Sequence, residues 1–385
     1  MVQDGAMDRV ERTRWICQQA RRLGFDLCGV TSASEPGRSP ELARLPEWLG
    51  AGYAGEMEYL HDERRTDPGR ALEGAKSVIM VALNYNADRP HSTDAGVYDS
   101  ADGAPRGWIS RYAWGDDYHK IMWAKLNALV AAMKAEWREP FGVDARADSG
   151  PVLERVAAKY AGLGWQAKNT CLINQELGSW MFLGTILTTL DLAPTVAESD
   201  GPAPDLCGNC TLCLDACPTQ AFVEPYVLDA RRCISYLTLE LHGSIPEEFR
   251  ERMGAALIGC DICQDVCPWN RKAPVTKLVQ FQPRTVEVTV ATETEPARTA
   301  DLVAPELEWI ASLTQAEFSR IFTRSAVKRT KWHGLVRNAC VALGNSKLER
   351  GSEAHARVTG LLAKLSASDE PLIAEHAQWA LNRLQ

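Results

Sequence analysis

Residues 207–222 read CGNCTLCLDACPTQAF, with Cys207, Cys210, Cys213 and Cys217 at spacings of three, three and four, and Pro218 behind the last. A second run, Cys260, Cys263 and Cys267 followed by Pro268, lies downstream, and Cys233 stands between the two. Three closely spaced thiolates wrap three corners of an iron–sulfur cube, while the cysteine before proline turns away to a neighbouring cube. The spacing therefore predicts two [4Fe–4S] clusters. Cys207, Cys210, Cys213 and Cys267 would hold one; Cys217, Cys233, Cys260 and Cys263 would hold the other. Structural zinc is the competing reading. Zinc favours two separated cysteine pairs closed at four ligands, whereas here a third cysteine follows at once and eight thiols are gathered in one segment.

The surrounding composition sets the context. The chain has 385 residues, 45% of them hydrophobic and 24% charged, which suits a globular protein of two or three domains. Twelve cysteines are many, and eight fall between Cys207 and Cys267. In a reducing compartment such clustering points to metal ligands rather than disulfides. No long apolar run suggests a membrane span. The first residues, MVQDGAMDRVERTRW, lack the apolar core of a signal peptide. A cytoplasmic protein with no membrane partner is the expectation. The net charge of -8 excludes a chain that is basic all over, but not a local basic patch.

Helix-like and strand-like segments alternate through residues 1–195. Helical patterns fall at 8–23, 117–137 and 151–162; strand patterns at 25–30, 77–85, 142–147 and 179–192, the last expected to break at Gly184. The expected fold is an α/β (α+β) domain over 1–195 and a ferredoxin-like two-cluster module over 196–280. A flexible insertion follows over 281–303, then an all-α, HEAT-like domain over 304–385. The Pro-rich stretch 193–204 reads as the first linker. In the last domain NACVALGN (338–345) and HAQWALNR (376–383) align Ala339 with Ala377, a period of 38 residues.

A two-cluster module alone would need little more than the cysteine-rich segment, so the remainder argues for a redox enzyme with its own active site. The stretch RADSGPVLERVAAKYAGLGWQAKNTCLINQELGSWMFLGTILTTLDL (146–192), followed by the two cysteine runs, resembles the epoxyqueuosine reductase family. GEMEYLHDERRTDPGRALEGAKSVIMVALNY (55–85), ISRYAWGDDYHK (109–120), CISYLTLELHGSIP (233–246) and RSAVKRTKWHGLVRNACVALGN (324–345) extend the likeness over most of the chain. The sequence departs from the family pattern at Ala167 and at Arg324, positions where glycine is usual or frequent.

The resemblance implies a corrinoid-binding N-terminal domain holding cobalamin, reduced through the clusters by an external donor such as a ferredoxin or flavodoxin. The implied reaction converts epoxyqueuosine to queuosine at position 34 of a tRNA with a GUN anticodon, on a monomeric enzyme. Asp148 matches the family's general acid; a helix cap is its alternative role. Tyr118 and His119 line the substrate side or supply a second proton. Asp117-x-His119 lacks the glycine of the corrinoid signature, since Met122 stands there, so His119 is not read as an axial ligand. Arg64 or Arg65, together with Ser110, Lys168, Asn169, Ser179, Ser235, Tyr236 and Ser244, are expected to contact the cofactor, and Cys171 to be a small buried residue. From Arg320 to Lys347 seven basic residues run without an acidic one. Within that run Arg324, Lys328, Arg329, Lys331 and Arg337 are the expected RNA contacts. Two other functions fit the clusters: a corrinoid-dependent reductive dehalogenase of small molecules, and a non-catalytic iron–sulfur RNA-binding protein.

Overall fold

A computed structural model describes residues 7–99, 103–197, 199–288 and 298–385. Helix α1 (Arg9–Arg22) starts at Asp8, whose carboxylate accepts the Glu11 amide at 2.8 Å while Glu11 accepts the Asp8 amide at 3.0 Å. This reciprocal cap satisfies two amides that the first turn leaves without partners. Four strands follow: β1 (Leu27–Ser32), β2 (Ser77–Asn84), β3 (Val143–Arg146) and β4 (Met181–Thr188). They form one sheet in the order β1-β2-β4-β3, every neighbouring pair antiparallel. The first domain is therefore α+β rather than a parallel α/β sheet.

Strand β2 is buried at every residue because both faces are covered. Ile79, Val81 and Leu83 meet Ile16 and the inner face of helix α2 (Tyr118–Glu136). Val78, Met80 and Ala82 meet Val152, Ala157 and Ala158, the last two on helix α3 (Glu154–Tyr160). The two-residue alternation of a strand sorts these side chains to opposite layers. Gly184 does not break β4. It pairs with Val81, and a Cβ there would lie 2.8 Å from Met122 Sδ. The glycine is a notch that lets α2 lie close to the sheet.

The cysteine runs sit on loops that lead into one-turn helices, Leu212–Asp215 and Ile262–Asp265. Between them helix α4 (Ile234–Leu239) belongs to the segment 233–246. The flanks of the expected flexible insertion pair as an antiparallel hairpin, β5 (Thr285–Val288) with β6 (Arg298–Asp301). The part between, 289–297, lies outside the described residues. Val286, Leu302 and Val303 enter the core, so the flanks are anchored by apolar burial.

The C-terminal region is helical: α5 (Leu307–Ser312), α6 (Gln315–Ile321), α7 (Lys331–Gly344), α8 (Glu353–Ser366) and α9 (Pro371–Leu384). Ala339 and Ala377, aligned by the 38-residue period, are both fully buried. Gly344 permits the close approach of α7 and α9, since a Cβ there would meet Ala380 Cα at 2.8 Å. One apolar cluster joins these helices to Trp108, Ile109 and Trp114 of the first domain and to Leu239, Leu257 and Ile258 of the second. The domain boundaries at 195 and 280 thus do not separate independent cores.

Candidate active site and thiol centres

The eight cysteines fall into two sets of electrostatic neighbours. Cys213 feels Cys267, Cys207 and Cys210, and Cys260 feels Cys233 and Cys217. Cys263 feels Cys260 and Cys233. All eight thiols are free, with no disulfide among them. Among the described residues no three His, Cys, Asp or Glu groups converge as a single-ion site would require.

Burial pushes the Cys260 thiol well up, and the negative charge of Cys233 adds to it. Burial first, then Cys267, raises Cys213 to about 11. Thiols in this state become thiolates together only against a compensating cationic group. Backbone donors are in place for the resulting anion: the Ala221 amide points at Cys217 Sγ at 3.3 Å. The donor set therefore fits two iron–sulfur clusters. Cys171 is half-buried, not merely small and buried, and its thiol hydrogen-bonds Cys263 beside the second set.

Several polar residues expected to touch a cofactor brace these loops. Lys168 Nζ donates to the carbonyls of Gly208 and Cys210 at 2.6 and 3.0 Å. Asn169 donates to the Cys263 carbonyl, and Ser179 bonds Gln264 and Asn270. Ser110 Oγ donates to Asp261 Oδ1 at 2.5 Å, and Asp261 also accepts from Trp108 and the Arg111 amide. The backbone amides of Ser235 and Tyr236 face the Cys233 sulfur. Tyr236 also holds the Glu56 amide through its hydroxyl. Ser244 lies on the far side of that segment, bonded to Glu375 and Arg250. Arg64 pairs with Asp62, while Arg65 donates to the Tyr59 carbonyl and stacks over the Tyr59 ring.

The catalytic candidates do converge. Asp148 sits at φ 53, left-handed backbone that a non-glycine residue adopts at a cost. Its carboxylate accepts from Tyr118 Oη at 2.5 Å, and His119 Nε2 stands 3.9 Å away. It does not cap α3, whose N-cap is Leu153 with no side-chain bond. Asp117 caps α2 and accepts from His119, with Nδ1 at 2.8 Å, which orients the ring. His119 stacks on Tyr118, and Tyr118 stacks on Phe182 with centroids 4.2 Å apart. Burial, then the charge of Asp148, drives the Tyr118 hydroxyl far above its usual range, so it stays a donor to Asp148.

Three neighbours were not singled out from the sequence. Glu154 Oε1 accepts the Asp148 amide at 3.1 Å; burial, then the charge of Asp148, lifts this carboxyl to about 8, so it is protonated near neutrality. Tyr112 lies edge-on to Tyr118, and its ring edge borders Gly259, the residue before Cys260, which joins the tyrosine that holds the acid to the loop of the second set. Trp123, one turn beyond His119 on α2, is exposed beside it. The signal for Glu154 was its place six residues after Asp148 in the same motif; Tyr112 and Trp123 carried no motif of their own.

The basic run divides by burial. Arg324, Lys328, Arg329 and Lys331 are exposed, and Arg329 pairs with Glu240. Arg324 sits at φ 55, and its carbonyl accepts the Asp117 amide at 2.8 Å, which places the run beside the catalytic corner. Arg337 is no RNA contact. It is fully buried, and its guanidinium donates to the carbonyls of Leu237, Leu241 and Gly243. Trp332 packs, donating to the Leu313 carbonyl.

Paired four-thiol sets next to a carboxylic acid held by tyrosine and histidine define an iron–sulfur oxidoreductase. The family description "4Fe-4S double cluster binding domain" matches residues 206–270, and "Epoxyqueuosine reductase QueG, DUF1730" matches residues 65–149. The epoxyqueuosine reductase of Gloeobacter violaceus is 44% identical over 343 residues, 86% of this chain and 95% of that one. A crystal structure of selenomethionine-labelled epoxyqueuosine reductase superposes with a TM-score of 0.81 at 30% identity, covering 96% of this chain and 90% of that one. Another, of epoxyqueuosine reductase with an epoxyqueuosine-modified tRNA-Tyr stem loop, gives 0.79 at 30% identity, covering 96% and 89%. The chain belongs to the epoxyqueuosine reductase family.

Proposed function

We propose that this chain reduces the epoxide of epoxyqueuosine at position 34 of tRNA to the alkene of queuosine, with electrons delivered through two [4Fe–4S] clusters to cobalamin and Asp148 as proton donor. The observation that carries the reading is the corner where Tyr118 holds Asp148, Tyr112 links it to the loop of Cys260 and Cys263, and Arg324 fastens the basic run to Asp117. Cobalamin, when bound, supplies a low-valent metal centre that accepts single electrons and drives the deoxygenation. The polar residues of the loops around the second set, Ser110, Asn169, Ser235 and Tyr236, would hold the cofactor near the acid.

Converting an epoxide to an alkene takes two electrons and two protons and releases water. Asp148, charged with a proton from solvent, protonates the departing oxygen, while Tyr118 and His119 orient its carboxyl and relay the second proton from solvent. Glu154 anchors the loop through the Asp148 amide. Exposed Lys328 and Lys331, with Arg324, contact the tRNA backbone, and an unstacked anticodon base enters the corner, with Trp123 available for stacking. The HEAT-like pairing of α7 and α9 carries that surface. An external donor such as a ferredoxin or flavodoxin meets the first cluster, whose loop is the more exposed, and the enzyme works as a monomer.

The test is anaerobic reconstitution with iron, sulfide, cobalamin and a reductant, followed by tRNA carrying epoxyqueuosine and digestion to nucleosides. Queuosine is the expected product; intact epoxyqueuosine with both clusters and cobalamin loaded would overturn the proposal.

A further inference from the structure

Two cysteines outside the cluster sets face each other at the edge of the sheet. Cys17 lies on α1 and Cys28 on β1, the edge strand. Cys17 Sγ reaches the Cys28 carbonyl at 3.7 Å, and the two thiols hydrogen-bond each other. Both are half-buried, and both open into a groove of about 470 Å³ between α1, β1 and residues 193–195. Arg14 and Arg21 line the same groove. None of its lining residues belongs to the thiol sets or to the corner around Asp148.

We propose that Cys17 and Cys28 are a redox-active dithiol that closes to an intramolecular disulfide by exchange with an anionic small-molecule disulfide of the glutathione type. Accessible thiols become redox-active when one is readily ionised and a second stands ready to resolve it. The two are differentiated here. The hydrogen bond from Cys28 lowers Cys17, with Arg21 helping against the opposing effect of burial. The same hydrogen bond and burial raise Cys28. Cys17 is thus the attacking thiolate. Its sulfur bonds to one sulfur of the incoming disulfide, the S–S bond breaks, and one glutathione thiolate leaves and takes up a proton. Cys28 then gives up its proton and attacks the Cys17 sulfur, expelling the second glutathione thiol. Two protein thiols are oxidised by two electrons, and one disulfide is reduced to two thiols. The guanidinium groups of Arg14 and Arg21 suit the carboxylates of such a reagent.

The experiment treats the cluster-loaded protein anaerobically with oxidised glutathione, traps free thiols by alkylation and maps the peptides by mass spectrometry. Cluster absorbance is followed throughout, and any thiol released from a cluster is identified by its own peptide. Wild-type protein should lose two alkylatable thiols and yield one peptide pair bridged through Cys17 and Cys28. Cys28→Ser should instead accumulate glutathione on Cys17, and Cys17→Ser should give neither product. Full alkylation of Cys17 and Cys28 after treatment, or glutathione persisting on Cys17 of the wild type, would overturn the proposal. The result does not depend on which substrate the enzyme reduces.

Discussion

The two thiol sets share a chemistry and differ in their surroundings. The first is carried on a loop at the surface, with Leu212 exposed beside Cys213, and packs on a small apolar group of Trp165, Ile173 and Trp269. The second backs onto Ile234, Leu237, Ile245 and Phe249, is overlaid by Cys171, and adjoins Asp261 and Tyr112 on the way to Asp148. Under the proposed function, electrons would arrive at the first set and depart from the second.

Breaking one set at a time tests that order. Cys260→Ser should leave about half of the roughly eight irons that two cubes hold and abolish queuosine formation with any reductant. Cys210→Ser should abolish turnover with a protein donor but recover part of it with a small, strong chemical reductant that reaches the second cluster directly. Equal rescue of both variants, measured as queuosine per chain, would break the comparison.

The next effect lies where the enclosed side meets the acid. Glu154 is neutral below about 8 and ionises above it. Wild-type kcat should therefore fall as pH rises through that range, while Glu154→Gln, which keeps the acceptor for the Asp148 amide, stays level. Glu154→Ala frees the loop and should lower kcat about tenfold across the whole profile, the scale of one lost positioning contact. The stability contribution has the same sign. The folded state keeps a proton that the unfolded chain loses above 4.5, so stability declines as pH climbs from there through about 8.

A smaller effect separates the buried and the exposed members of the basic run. Arg337→Met leaves three carbonyls, that of Leu237 buried, without their donor and should cost about 3 kcal/mol, read as a lower Tm. Lys331→Ala should leave Tm unchanged, weaken binding of a tRNA stem loop and reduce the salt slope by about one. The smallest concerns the support beneath the enclosed set. His376 is fully buried and accepts the Ile245 amide; burial, then Arg250, lowers it to about 4. Between 6.5 and about 4 the unfolded chain binds a proton that the folded one refuses. Stability should therefore fall as pH drops through that window, and His376→Gln should flatten the dependence.

These differences also show what was readable in the chain. Cysteine spacing encodes ligand geometry directly, because three thiolates must wrap one cube. Strand and helix periods located the sheet and α2, since burial on two faces imposes them. A basic run encodes charge but not direction. Arg337 lies six residues after Lys331, on a buried helix face that only the packing of α4 against α7 reveals. Polar residues in the matching loops were legible as important but not by task. Lys168, Asn169 and Ser110 answer backbone carbonyls and a buried carboxylate contributed by segments roughly 40 to 150 residues away, partners that only the folded chain specifies. The insertion looked coreless because its apolar anchors, Val286 and Leu302, stand at its two ends.

The central claim is that Asp148, held by Tyr118, donates the proton that lets the epoxide oxygen leave. It is tested most directly by single-turnover queuosine formation in Asp148→Asn, loaded with both clusters and with cobalamin, whose visible spectrum reports that the cofactor is bound as in the wild type. The account predicts an unchanged spectrum and a rate reduced by about a hundredfold or more, the scale of a lost general acid. An Asp148→Asn protein that binds the cofactor normally and forms queuosine at the wild-type rate would contradict it.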